Sequence, residues 1–220
     1  MTTLTREERQ VGWSFGVSWV LAGIAGSFTG AALSLGVGIV VTAAGIPEDQ
    51  VHPVVFGLVN GLAFGLALGG AQWLLLRQQL DRADRWVPAS ILGWLAVFLI
   101  FNALIDPLAE SNDAVRSLPA ALIGGAILGV LLGLPQWFVL RDQLGKAGWW
   151  VTIQALALGF GISLAMVLAD LAIVPEGFMG LMVSLIVDQA LAGMGMVWLL
   201  REQSLPATAA TGMSTIERGD

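Results

Sequence analysis

Asp188 is the residue of this sequence whose type and position most directly suggest chemistry. It lies in an apolar run thirteen residues before Arg201, which corresponds to about 20 Å of helix and places it near the middle of a bilayer. A charged side chain at that depth costs about 2.5–3.5 kcal/mol on insertion scales, and such residues commonly mark ion or proton routes. With Gln189 beside it, Asp188 is predicted either to form an ion or proton site or to be a protonated carboxyl that hydrogen-bonds a neighbouring helix.

Asp106 and Asp170 form a second pair of candidate carboxylates. Each lies twenty residues after a tryptophan, Trp86 or Trp150, and twenty residues of helix span about 30 Å. If both tryptophans lie at one membrane boundary, both aspartates therefore lie at the other, in reach of water. We expect helix capping and solvation there, or a vestibule that attracts cations.

Several kinds of chemistry are not expected because this sequence lacks the residues for them. It has no cysteine, one histidine (His52) and one lysine, Lys146 in a loop. We therefore expect no haem, no zinc site and no retinal Schiff base. His52 is predicted to be a solvated loop residue, with an axial ligand to a chlorophyll-type pigment as the alternative. We predict a non-enzymatic protein; the sequence does not identify a cofactor, and it is compatible with a pigment or a lipid.

The composition indicates which elements must position these residues. Of the residues, 56% are apolar and 12% charged, with a mean hydropathy of +0.81, whereas soluble domains carry about 25% charged residues. Since about 20 apolar residues of helix cross a bilayer, the sequence predicts an all-α polytopic membrane protein with six spans. The predicted spans are 11–44, 53–76, 86–105, 118–140, 150–174 and 178–200. The first is too long for one straight crossing, so we expect it to tilt, to kink or to begin with an interfacial stretch over 11–21.

The basic residues predict the direction of the spans. Nine of the ten lie on the side that holds both termini, so both termini are predicted to be cytoplasmic, in a bacterial inner membrane. The net charge of −6 comes largely from the loops of the other side, and it predicts no nucleic-acid partner. Seven tryptophans, Trp86 and Trp150 among them, lie near the basic end of a span, where we expect their rings to rest among lipid headgroups.

A repeat of about 64 residues is the most specific pattern in the sequence. A Gln-Trp pair, with an arginine five residues after the glutamine, occurs twice: Gln72, Trp73 and Arg77, then Gln136, Trp137 and Arg141. A third copy, offset by 60, keeps Arg201 but has Met196-Val197 in place of Gln-Trp. We predict three helical hairpins in parallel orientation, closed around a pseudo-threefold axis or arranged in a row. The predicted units are a cytoplasmic tail 1–10, hairpin repeats 11–77, 78–141 and 142–205, and a flexible tail 206–220.

Glycines recur every fourth residue within this repeat. They are Gly61, Gly65 and Gly69, then Gly125, Gly129 and Gly133, with Gly193 answering Gly133 in the third copy. Residues four apart share one face of a helix, and small residues let helices approach closely in lipid. We predict that these faces pack the hairpin helices together, or alternatively that they pack against another subunit, a lipid or a flat pigment.

The other residues of the repeat are predicted to be structural. Gln72 and Gln136 lie inside the span and are expected to hydrogen-bond across hairpins, and the arginines are expected to end the spans at anionic headgroups. The motif, read as Gln-Trp-Leu-x-Leu-Arg at 72–77 and less closely at 136–141, resembles that of uncharacterised bacterial multi-pass membrane proteins built from repeated hairpins. The resemblance covers most of 50–203; it implies a multi-pass membrane protein and no catalytic residue.

The sequence is compatible with two functions. The first is a non-enzymatic membrane subunit or scaffold, which packs against lipids, pigments, other membrane subunits or a second copy of itself. The alternative is a small transporter or channel for an ion, a proton or a small solute, with Asp188 on the route.

Overall fold

The structure, a computed structural model, describes residues 12–45, 52–105, 117–175 and 177–203. This part of the chain folds into helices and turns, without strands. The six long helices are α1 (Trp13–Ala43), α2 (Pro53–Leu76), α3 (Trp86–Ile100), α4 (Leu118–Leu140), α5 (Trp149–Asp170) and α6 (Phe178–Gln203). Each has the length and apolar composition needed to cross a membrane, the third when it is counted from Ala83. The prediction of an all-α chain with six spans is confirmed.

Local sequence signals set several helix ends. Pro53 begins α2, where its missing N–H costs nothing, and the Nδ1 atom of His52 accepts the N–H of Val54 at 3.2 Å. Ser117 caps α4 in the same way, through the N–H of Ala120 at 3.4 Å. A short 3-10 helix (Ala83–Arg85) precedes α3, and a π-helical turn (Phe101–Ile105) ends it.

Helix α1 is continuous over its 31 residues. Within the described part of the stretch that was expected to be interfacial, 12–21, Trp19 is fully buried against Trp86 and Trp150. The first turns of α1 therefore belong to the helical bundle.

The six helices form a closed ring. Each packs against its neighbours in sequence, and α6 packs against α1. One end of the ring holds the connections 77–85 and 141–148, the end of α6 and the start of α1. The N–H of Arg82 donates to Gln143 Oε1 at 3.4 Å, Lys146 pairs with Glu202 at 2.8 Å, and Arg201 lies over the ring of Trp13. We call this the basic end, after its arginines and lysine. The helices are thus arranged in a closed ring and not in a row, the two arrangements with which the sequence is compatible.

The first glycine face lies between helices that are joined at the basic end. A Cβ atom on Gly61 would lie 2.6 Å from Leu95 Cα, and one on Gly65 would lie 2.5 Å from Ile91 Cα, so α2 is pressed against α3. A Cβ on Gly69 would lie 2.7 Å from Ser90 Cβ. These backbones touch, which is the geometry that small residues permit in lipid.

The glycines of the second and third copies make the same kind of contact. A Cβ on Gly125 would lie 2.8 Å from Gly159 Cα, one on Gly129 would overlap the carbonyl oxygen of Gln154, and one on Gly133 would lie 3.1 Å from Gln154 Cβ, all on α5. A Cβ on Gly193 of α6 would lie 3.0 Å from the ring of Trp19 on α1. The glycines of the repeat thus lie between α2 and α3, between α4 and α5, and between α6 and α1, that is, between helices of different predicted hairpins. Gly161 makes an equally close contact between α5 and α6, since its Cβ would lie 2.5 Å from the carbonyl oxygen of Ser184.

Candidate functional site

Three tryptophans fill the middle of the ring near its basic end. Trp19, Trp86 and Trp150 come from α1, α3 and α5, and all three are fully buried. Their ring centroids are 5.8–6.1 Å apart, with interplanar angles of 60–80°, which is the edge-to-face geometry that aromatic rings prefer. The prediction that Trp86 and Trp150 rest among lipid headgroups is therefore wrong. We call these three residues the tryptophan cluster.

Gln72 links this cluster to Asp188. Its Oε1 accepts the indole N–H of Trp86 at 3.0 Å, and its Nε2 donates to Gln189 Oε1 at 2.9 Å. Gln189 Nε2 in turn donates to Asp188 Oδ2 at 2.8 Å. The chain of side chains runs from α3 through α2 to α6, and every member is buried.

Gln136 holds the corresponding place on α4. Its Oε1 accepts the indole N–H of Trp150 at 2.9 Å and the Nε2 of Gln154 at 3.1 Å, and its own Nε2 donates to Ser90 Oγ at 3.1 Å. Each of the two glutamines thus joins three helices, and its carboxamide is hydrogen-bonded as buried polar groups generally are.

Met196 takes the corresponding place on α6, and it leaves the third tryptophan without an acceptor. Met196 is fully buried, and in the described part of the chain no atom accepts a hydrogen bond from Trp19 Nε1. The loss of the Gln-Trp pair in the third copy therefore corresponds to one unsatisfied indole N–H.

Met196→Gln is expected to stabilise the protein by about 1 kcal/mol, because a buried unpaired donor gains an acceptor of nearly the same volume. Thermal unfolding in detergent measures this change. In a Trp19→Phe background the gain should vanish, since no N–H remains to be satisfied. An equal gain in both backgrounds would show that the new amide bonds elsewhere.

Asp188 lies inside the ring and is half satisfied. The residue is 0% exposed; its Oδ2 accepts from Gln189, while its Oδ1 has no partner among the described residues. The repeat offsets align it with Phe64 and Leu128, which are both buried core residues. One turn before it on α6, the buried Ser184 Oγ also has no partner in the described structure. Two unpaired oxygens thus lie four residues apart on one helix face.

Gln189 owes its position to a glycine on the next helix. Gly23 of α1 faces the Gln189 side chain so closely that a Cβ at Gly23 would overlap it. Gln189 itself aligns with Gly65 and Gly129 of the other copies. In the first two copies the glycine lies on α2 or α4, whereas in the third copy it lies on the partner helix α1, as Gly23. This exchange leaves space for the Gln189 amide beside Asp188.

The arginines of the repeat stack on aromatic rings at the basic end. Arg77 lies over Trp73 at 5.2 Å, and Arg141 lies over Trp137 at 5.6 Å and Phe138 at 4.7 Å. In the third copy, where Val197 replaces the motif tryptophan, Arg201 lies over Trp13 of α1 at 5.7 Å. In the first two copies the motif therefore combines an inward glutamine with a cation–π pair that begins one residue further on.

The other predicted carboxylates and the histidine, where the structure describes them, lie away from Asp188. Asp170 is exposed at the last position of α5, at the end opposite to the basic end. Asp106 lies outside the described residues. His52 is exposed and caps α2 through Nδ1. No group of three His, Cys, Asp or Glu side chains that could hold a metal is found in the described ranges.

Sequence reasoning missed Trp19 and Gly23 as members of the site. An offset of 64 pairs Trp86 with Ala22 rather than with Trp19, because the first copy differs in length by three residues. Aligning the tryptophans at an offset of 67 pairs Ser90 with Gly23 as well, and this was the signal that could have identified both.

The ring of six apolar helices makes this chain an integral membrane protein. It is 25% identical over 79 residues to a protein of Pyrococcus furiosus named "Putative phosphate permease". The match covers 36% of this chain and 18% of the length of that protein. No protein-family model and no solved structure matches the chain.

Proposed function

We propose that the chain is a non-enzymatic membrane transport protein, whose interior ion site is formed around Asp188. The observation that carries this proposal is the half-satisfied carboxyl: Asp188 is fully buried, and its Oδ1 has no partner in the described structure. A purely structural carboxyl would be expected to have both oxygens bonded. Ionisable residues are retained inside membrane spans chiefly where they bind or pass ions.

The hydrogen bonds around Asp188 support a positioned site. Gln189 donates to its Oδ2 at 2.8 Å, and Gln72 of α2 donates to Gln189 at 2.9 Å. Trp86 of α3 in turn donates to Gln72. A movement of α2 or α3 relative to α6 would therefore change the hydrogen bonds that lead to Asp188. The similarity to the permease supports transport as the function, and it makes phosphate the first solute to test.

Asp188→Asn is expected to lower solute uptake into proteoliposomes by about tenfold or more, since a hydrogen bond or ion contact to a charged group contributes about 1.5–3 kcal/mol. Uptake of labelled phosphate under an imposed ion gradient is the measurement. The matched control is Asp170→Asn, which removes an exposed carboxylate at the end of α5 and should leave uptake unchanged. Unaltered uptake in Asp188→Asn, with uptake above empty vesicles in the wild type, would contradict the role of Asp188.

A scaffold or subunit is the second candidate, and one observation favours it. Beyond Ser34, α1 diverges from α2, and an apolar groove of about 620 Å³ opens between their ends. Gly38 lines this groove with no atom within 4 Å of a Cβ position. Such a face suits another helix or a lipid. Purification from the native membrane, with mass spectrometry of the proteins and lipids that copurify, tests this candidate: a fixed protein partner would support it, and a monodisperse single chain would not.

We further propose that the basic end faces the cytoplasm, as the positive-inside rule predicts. The sequence has no cysteine, so single cysteines can be introduced without a background. Gly145→Cys, in the connection at the basic end, should react with an impermeant maleimide in inside-out vesicles. Ile173→Cys, exposed after α5 at the other end, should react only from the periplasmic side. The reverse pattern would invert the proposed orientation.

A further inference from the structure

Among the described residues, Asp188 is the one ionisable side chain in the interior of the ring. Helices α1, α2, α3 and α4 contain no Asp, Glu, Lys, Arg or His. On α5 the only such residue is Asp170, at the exposed far end, and on α6 the others are Arg201 and Glu202, at the basic end. None of the helices packed around Asp188 therefore offers it a charged side chain from within the ring.

We propose that the ligand of this interior site is a proton, carried by Asp188 Oδ1, and not an anion such as phosphate. The inference rests on the proposed transport function and names its coupling ion. In the step, a proton from water adds to the carboxylate oxygen to give the neutral acid, and its release on the other side regenerates the carboxylate; no bond other than O–H changes.

An anion is disfavoured by the chemistry of the interior. The buried polar side chains of the described residues are serines, glutamines and Asp188, so this part of the interior holds no cationic group to neutralise a phosphate. A phosphate beside Asp188 would place like charges in a medium of low dielectric constant, where both pay for lost solvation. Arginines that could attract phosphate lie at the basic end, stacked on aromatic rings.

A metal cation is disfavoured by the number of free oxygens. Hard metal ions take about six oxygen ligands in proteins. Among the described residues, the unpaired buried side-chain oxygens are Asp188 Oδ1 and Ser184 Oγ on α6 and Gln154 Oε1 and Ser163 Oγ on α5, four in all. The neighbouring turns of α6 present Leu185 and Ala192, which are packed and buried. A proton needs one acceptor and no coordination shell, and Oδ1 supplies it.

The two sides of Asp188 differ in what they can do with a proton. Towards the basic end, it accepts a hydrogen bond from the amide of Gln189, which in turn accepts one from the amide of Gln72; amides donate and accept hydrogen bonds but do not titrate. Towards the other end, one turn away, lies the hydroxyl of Ser184, which can accept one proton while donating another. The geometry thus favours entry of the proton from the end opposite to the basic end.

Two measurements on the full-length protein test this proposal. The first is infrared difference spectroscopy between low and high pH, which detects the C=O band of a buried protonated carboxyl without any transport. We expect that band in the wild type and in Asp170→Asn, and its loss in Asp188→Asn. The second is proton flux into proteoliposomes, read with an internal pH dye; we expect flux in the wild type and its loss in Asp188→Asn. Circular dichroism and size-exclusion chromatography establish that each variant is folded.

A pair of serine variants tests the direction of entry. Ser184→Ala should slow proton flux, while Ser163→Ala, which also removes a buried and unpaired hydroxyl but from α5, should not. Solute uptake without proton flux and without the band would overturn the proton inference and leave the transport function standing. The band without uptake of any solute would contradict the transport function and leave proton binding at Asp188 standing.

Discussion

Gly129→Ala is expected to lower the free energy of unfolding by about 3 kcal/mol, at the upper end of the cost of overpacking. The added Cβ atom would overlap the carbonyl oxygen of Gln154 and would lie 2.6 Å from Ala155 Cα. Backbone atoms cannot rotate away as a side chain can, so α4 and α5 must separate along their whole contact. The measurement is the Tm of the purified protein in detergent, followed by its tryptophan fluorescence, and we expect a decrease of roughly 10 °C.

Gly124→Ala is the matched control for this substitution. It lies on the same helix five residues earlier, and no atom lies within 4 Å of its Cβ position. We expect an unchanged or slightly higher Tm, because alanine is favoured over glycine within a helix by about 0.5–1 kcal/mol. Equal Tm values for the two variants would show that α4 and α5 are not pressed together at Gly129.

The spans could be predicted from the sequence because their signals are local. The predicted bounds of the second and fourth spans match α2 and α4 residue for residue, since a proline at the start and an arginine just after the end mark each of them. The third span is predicted to run to 105 as one helix, while the structure ends the α-helix at Ile100 and adds a π-helical turn. The change from α-helical to π-helical hydrogen bonds after Ile100 occurs inside an apolar run, where no proline or charged residue marks it.

The contacts between helices could be predicted only in part. The glycine spacing indicates a close helix contact, but it does not say which helix is the partner. The link between Gln72 and Gln189 joins residues 117 positions apart, and it depends on closure of the ring and on Gly23. The burial of Trp86 and Trp150 could not be predicted either, because a tryptophan near a basic loop can lie among headgroups or in a core. Their place in the core depends on contact with Trp19, which comes from a distant part of the sequence.

Gln136→Met is expected to be the most destabilising polar-to-apolar change in the interior. Gln136 accepts from Trp150 and Gln154 and donates to Ser90, so its loss leaves those three partners short of a hydrogen bond. Each buried group left unsatisfied costs about 1–3 kcal/mol, and we expect a total of about 3 kcal/mol or more. Methionine has the right volume, as Met196 shows by filling the corresponding place on α6 without exposure.

A double-mutant cycle separates the hydrogen bond from the packing. Trp150→Phe removes the indole N–H that Gln136 accepts and keeps an aromatic ring beside Trp19 and Trp86. If the bond is what matters, Gln136→Met should cost less in the Trp150→Phe background, with a coupling energy of about 0.5–3 kcal/mol. Additive losses in Tm would mean that the cost comes from packing alone. In that case Met196 beside the unpaired Trp19 would be as stable an arrangement as Gln136 beside Trp150, and Met196→Gln should not raise the Tm.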